Sequence, residues 1–222
     1  MIKSIFYKEW IKTRWFLLIL AVLGLAAVGN IFLKVQHNII FNEAHKYWYL
    51  VLFQNQLYFK SIKFVPLAIG LMISLAQYIP EITDKRIKLT FHLPIQENRI
   101  LLLMLAYGIM VLLVCFALIF GMFAQLSFYF FPVEVVKAAV ISVLPWFLAG
   151  LAAYFLGALV TLEAIWKYRI MYFLASAAFI LFYFESSVAG GYAMINWKLA
   201  VLTIAISLSL TFSAYRFRKG EM

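Results

Sequence analysis

The stretch Ile100–Phe123, ILLLMLAYGIMVLLVCFALIFGMF, decides the fold class. It holds no charged residue and no proline. A helix that crosses the hydrocarbon of a bilayer needs about 20 mostly apolar residues, and this stretch exceeds that length. The rest of the chain has the same character. Across 222 residues, 66% are hydrophobic, 13% are charged and the mean hydropathy is +0.97. Soluble domains average about 45–50% apolar and about 25% charged. The composition therefore excludes a soluble domain, a disordered chain, a collagen-like repeat and a secreted disulfide scaffold. The single cysteine, Cys115, lies inside the quoted stretch and has no intramolecular partner to oxidise with.

Working outward, five further runs read as spans: roughly Trp15–Leu33, Ile62–Ile79, Ala138–Leu162, Trp166–Phe184 and Leu199–Tyr215. Each is continuously apolar, whereas a barrel would show segments of about 10 alternating residues. Helices satisfy their own backbone groups in lipid. A short polar patch around Glu163, Lys167 and Arg169 separates the fourth run from the fifth. The first run is longer than the roughly 7–15 apolar residues of a signal peptide, and no small-residue cleavage site follows it, so it reads as a retained helix. The expected fold is an all-α integral membrane domain over residues 1–222, with six spans.

Nineteen basic and nine acidic residues give a net charge of +10. In a membrane protein such an excess orients the loops and does not indicate nucleic acid. With the N-terminus inside, 13 basic residues fall on the inner side: Lys3, Lys8, Lys12, Arg14, Lys85, Arg86, Lys88, Arg99, Lys167, Arg169, Arg216, Arg218 and Lys219. Six fall outside: Lys34, Lys46, Lys60, Lys63, Lys137 and Lys198. Both termini are expected to be cytoplasmic.

Local features refine this frame. In the segment Met1–Arg14, Ile2, Phe6 and Trp10 form one i, i+4 row and Lys8 and Lys12 another, the pattern of an interfacial helix on the inner leaflet. Between spans two and three runs Glu81–Arg99, EITDKRIKLTFHLPIQENR, the longest polar stretch on the inner side. It reads as a short amphipathic element that Pro94 ends, suited to lipid or to a partner's groove. Span four carries Ala149, Ala153 and Gly157 at i, i+4 and i+8, with Gly150 beside them. That stripe lets backbones approach closely, within one subunit or across a dimer seam. Pro145 is expected to kink the same span. Glu163 and Glu185 sit near span ends, within reach of headgroups or water. The outer stretch Lys34–Lys60 is rich in aromatics (Phe41, Tyr47, Trp48, Tyr49, Phe53, Tyr58 and Phe59) and reads first as an interfacial element. His37, Glu43 and His45 match no tight metal spacing.

An acidic residue just after the second span, a basic stretch, and a Leu-Pro pair before the third span resemble the permeases of the type-2 ATP-binding-cassette (ABC-2) exporter family. The matching residues are Glu81, Lys85, Arg86, Leu89, Phe91, Leu93, Pro94 and Arg99. The six spans, inside termini and N-terminal interfacial helix are similar to that family's architecture. Asp84-Lys85-Arg86-Ile87 stands where the family usually has Gly-Thr. The resemblance implies that Glu81–Arg99 is a coupling helix seated in a cassette ATPase. It also implies a second permease copy or paralogue, ATP and magnesium held on the partner ATPase, and a place in the bacterial inner membrane.

Catalytic motifs do not emerge. Gly24 and Gly29 have a P-loop interval, but Asn30 follows where Lys is required. Gly-x-Ser-x-Gly and His-Glu-x-x-His are absent. No carboxylate pair suits acid–base work within a span. The expectation is a transport conduit that is not itself an enzyme and holds no cofactor or metal. A lipid-handling enzyme subunit and a non-transport scaffold are the rival classes.

Overall fold

The computed structural model describes residues 2–41, 48–49, 51, 57–83, 97–163, 165–185 and 190–218. Among them the regular structure is helical throughout. The long helices are α1 (Ile2–Phe41), α2 (Val65–Thr83), α3 (Glu97–Phe130), α4 (Val133–Leu162), α5 (Trp166–Leu181) and α6 (Asn196–Arg218), with short 3-10 turns at Lys60–Ile62 and Phe182–Phe184. Five helices, α1 to α5 with the two short turns extending α2 and α5, are long and apolar enough to cross a membrane. In α6 the apolar stretch Asn196–Leu208 is shorter than a span. The chain is an α-helical, membrane-embedded protein.

Successive helices run up and down. Lys12 of α1 meets Glu81 near the end of α2, Thr13 meets Tyr107 in the first half of α3, and Arg169 at the start of α5 meets the end of α4. These contacts define one end of the bundle, here the proximal end, which gathers the N-termini of α1, α3 and α5. At the distal end Phe32 of α1 packs with Tyr58, Phe123 and Phe130. There Asn196 at the start of α6 reaches α4.

In lipid, helices gain little by hiding apolar surface from one another, so close backbone approach has to hold them. α4 is the central helix and its most extensive partner is α2. A Cβ on Gly70 would collide with the Gly150 carbonyl, and one on Gly150 with the Pro66 carbonyl. One on Gly157 would come within 2.8 Å of Ser74 Oγ. Ala149 and Ala153 are fully buried.

Pro145 does not interrupt α4, which is helical from Val133 to Leu162. A proline leaves the carbonyl four residues earlier without its helical donor. That carbonyl belongs to Ile141, and the Asn196 side-chain amide donates to it at 3.1 Å.

Two expectations are corrected here. Met1–Arg14 was expected to form a separate interfacial helix, but no break sets it apart: α1 is a single helix of 40 residues. At 1.5 Å per residue it is about 60 Å long, twice the hydrocarbon thickness. Its Lys8–Lys12 row, read as polar and outward, faces partners on α2. The aromatics Tyr58 and Phe59, read as interfacial, belong to the bundle. Phe59 is buried against Phe123 and Trp146, and Tyr58 stacks on Phe131 with ring centres 4.4 Å apart. Tyr47 and Phe53 lie outside the described residues.

Candidate functional site: a buried charge cluster

The cluster starts from an i, i+4 row on α1: Ile5, Glu9 and Thr13, all buried. An acidic residue in the middle of a buried row is costly unless it is paired. Lys12, one turn on, donates to Glu9 Oε1 at 2.7 Å and to Glu81 Oε1 of α2 at 2.7 Å. Lys8 approaches the same Glu81 oxygen at 2.9 Å. Glu9 and Glu81 have no solvent exposure, Lys12 is nearly buried, and Lys8 stands at the mouth with 35% of its side chain exposed. Two carboxylates and two ammonium groups thus balance within one desolvated pocket. Glu9 Oε2 and Glu81 Oε2 have no hydrogen-bond donor among the described residues.

Neutral hydrogen bonds carry the network deeper. Lys12 also approaches the Gln77 carbonyl of α2 at 3.4 Å. The Gln77 side chain bridges two further helices. Its amide donates to the Met104 carbonyl of α3 at 2.8 Å, and its Oε1 accepts from the Tyr154 hydroxyl of α4 at 2.8 Å. Tyr154 in turn meets the Tyr78 hydroxyl at 3.3 Å. On the other flank the Thr13 hydroxyl and the Tyr107 hydroxyl lie 2.7 Å apart, with Thr13 donating to its own helix at the Glu9 carbonyl. The Tyr154 hydroxyl occupies the space a Cβ on Gly108 would need, so glycine there admits the tyrosine. The network joins α1, α2, α3 and α4 at one level of the bundle.

The arrangement can do one thing chemically without a ligand. It ties α1 to the end of α2 through charge, in surroundings where a lost partner costs several kcal/mol. Thr83, two residues past Glu81, ends α2, and residues 84–96 follow.

The sequence-derived residues distribute as follows. Glu81 was expected in a coupling element facing a partner; its carboxylate is buried and turned toward α1. Arg99 is exposed in the first turn of α3. Lys85, Arg86, Leu89, Phe91, Leu93 and Pro94 lie outside the described residues, as does His92. Ala149, Ala153 and Gly157 sit in the buried face of α4, where Gly157 meets α2 within the same chain. Glu163 was expected to reach water, but it is buried. Its backbone carbonyl accepts from Arg169 Nη2 at 2.6 Å and from Nε at 3.1 Å, closing the end of α4.

Glu9, Gln77, Tyr78, Tyr107 and Tyr154 were missed by sequence reasoning. A signal existed for Glu9: it shares the row of Ile5 and Thr13, which no surface reading of Lys8 and Lys12 explains.

Comparisons with protein families, with curated proteins and with solved structures find no match to this chain.

Proposed function

We propose that the chain is the permease subunit of an ATP-binding-cassette exporter in the bacterial inner membrane, with both termini cytoplasmic. Its helices form half of a transport pathway, completed by a second permease copy or paralogue. ATP and magnesium are bound, and ATP is hydrolysed, on a separate cassette ATPase; this chain moves the load. The surplus of basic residues at the proximal end supports that orientation.

One observation carries the reading. The segment resembling a coupling helix begins at Glu81, and Glu81 is ion-paired to Lys8 and Lys12 of α1. A push on residues 84–96 from an ATPase therefore acts on α1 and α2 together. Through Gln77 and Tyr154 it reaches α3 and α4 as well. Rigid-body movement of linked helices is the element that alternating access requires.

The test is substitution inside the segment. Phe91→Ala removes an aromatic anchor and is expected to weaken ATPase binding by about 2 kcal/mol or more, roughly thirtyfold. Lys88→Ala, a solvated charge, is expected to cost less than about 1 kcal/mol. The readouts are ATPase copurification and permease-stimulated hydrolysis at matched membrane expression. Full binding and stimulation by Phe91→Ala would refute the assignment of this segment.

A further inference from the structure

A groove of about 290 Å³ runs along the side of the bundle between α4, α5 and α6. Its walls are apolar, with Leu156 from α4, Phe179 from α5 and Leu202 and Ile206 from α6, and it opens outward. On α5 the lining residues Tyr172, Ala175, Ser176 and Phe179 follow i, i+3, i+4, i+7 spacing. The same stripe continues one turn toward the proximal end into Tyr168 and Arg169. There the Arg169 guanidinium lies over the exposed Trp166 ring at 5.6–5.8 Å range, with the centroid distance 5.7 Å, and Lys167 is exposed beside it. α6 ends at this level with Arg216 and Arg218 in its last turn.

The dimensions select the occupant. From Arg169 to Phe179 is ten residues of helix, about 15 Å, which is half of the roughly 30 Å hydrocarbon thickness. The stripe thus spans one leaflet, with cationic and aromatic groups at headgroup level and an apolar trough above them. Tryptophan beside arginine or lysine is the side-chain chemistry of that level, and basic groups there attract acidic headgroups. We propose that this groove holds a single acidic phospholipid of the proximal leaflet, one acyl chain between α4, α5 and α6 and the phosphate beside Lys167 and Arg169. The inference is independent of any ATPase: it rests on the membrane setting alone.

The full-length chain is placed in nanodiscs of phosphatidylcholine containing phosphatidylglycerol as the minor lipid, then released for native mass measurement. The wild type is expected to retain one phosphatidylglycerol in preference to phosphatidylcholine. Lys167→Gln is expected to weaken that retention about fivefold. Ala175→Trp and, from the facing wall, Ala205→Trp are expected to abolish it. Both alanines are exposed, so the added rings fill the groove and not the core. Equal retention of the two lipids would overturn the proposal. So would wild-type retention by both tryptophan variants, or loss of a dimer in those variants with lipid retention unchanged.

Discussion

Lys12 stands between two buried carboxylates, and its removal is more damaging than the loss of one ion pair suggests. Without it, Glu9 and Glu81 face each other desolvated, with only the half-exposed Lys8 to offset them. Breaking such a buried arrangement typically costs about 3–5 kcal/mol. Lys12→Met is therefore expected to lower thermal stability in detergent sharply, whereas Lys8→Met, at the mouth of the pocket, should cost about 1 kcal/mol or less. Adding Glu9→Gln to Lys12→Met removes one of the stranded charges and should recover part of the loss. Melting curves of the three variants decide this, and equal effects of Lys8→Met and Lys12→Met would count against the buried network. The sequence could not reveal this site in full. Glu81 was legible as a notable acid at the end of a span, but its partner lies 69 residues away on α1. Periodicity within one helix sorts faces, and it does not say what the polar face meets.

At the scale of elements, the crossing of α2 and α4 is the contact most sensitive to volume. Gly70 and Gly150 leave no room for a side chain between the two backbones. Gly150→Ala should therefore destabilise by about 1–3 kcal/mol through overpacking. Gly121, with open space at its Cβ position, provides the opposite sign: Gly121→Ala in α3 should be neutral or stabilise by up to about 1 kcal/mol. Unfolding measured for both variants in the same detergent tests the contrast, and a harmless Gly150→Ala would mean the two helices are not so close. The stripe Ala149, Ala153 and Gly157 was readable from spacing alone. Its partner was also within reach, since Pro66, Gly70 and Ser74 form a matching row on α2. The length of α1 was not, because its fraying into an interfacial helix was inferred from a charge pattern, whereas no proline interrupts Ile2–Phe41 and its first glycine is Gly24. Pro145 likewise promised a break that Asn196 of α6 compensates.

For the whole molecule, the spans were the most legible feature, since unbroken apolar length is a property of sequence and needs no partner. The bundle sorts the charges as the sequence did. Lys3, Lys8, Arg14, Arg99, Lys167 and Arg169 gather at the proximal end, and Lys34, Lys60, Lys63, Lys137 and Lys198 lie toward the distal end. If the proximal end is cytoplasmic, single cysteines at Ser4, Thr90 and Gly220, with Cys115 replaced, should resist an impermeant thiol reagent in intact cells. Cysteines at Asn42 and Gly191 should react. Labelling of Thr90→Cys from outside would reverse the orientation and remove the coupling segment from any ATPase.

The central claim is that a cassette ATPase drives this chain through the segment rooted at Glu81. Purification of the tagged full-length chain from its native membrane tests it most directly, by identifying the proteins that remain bound and measuring ATP hydrolysis. The account predicts a P-loop ATPase in stoichiometric amount, with hydrolysis that depends on the permease. A chain that purifies without an ATPase under conditions preserving other membrane complexes, or an associated ATPase indifferent to its presence, would contradict it.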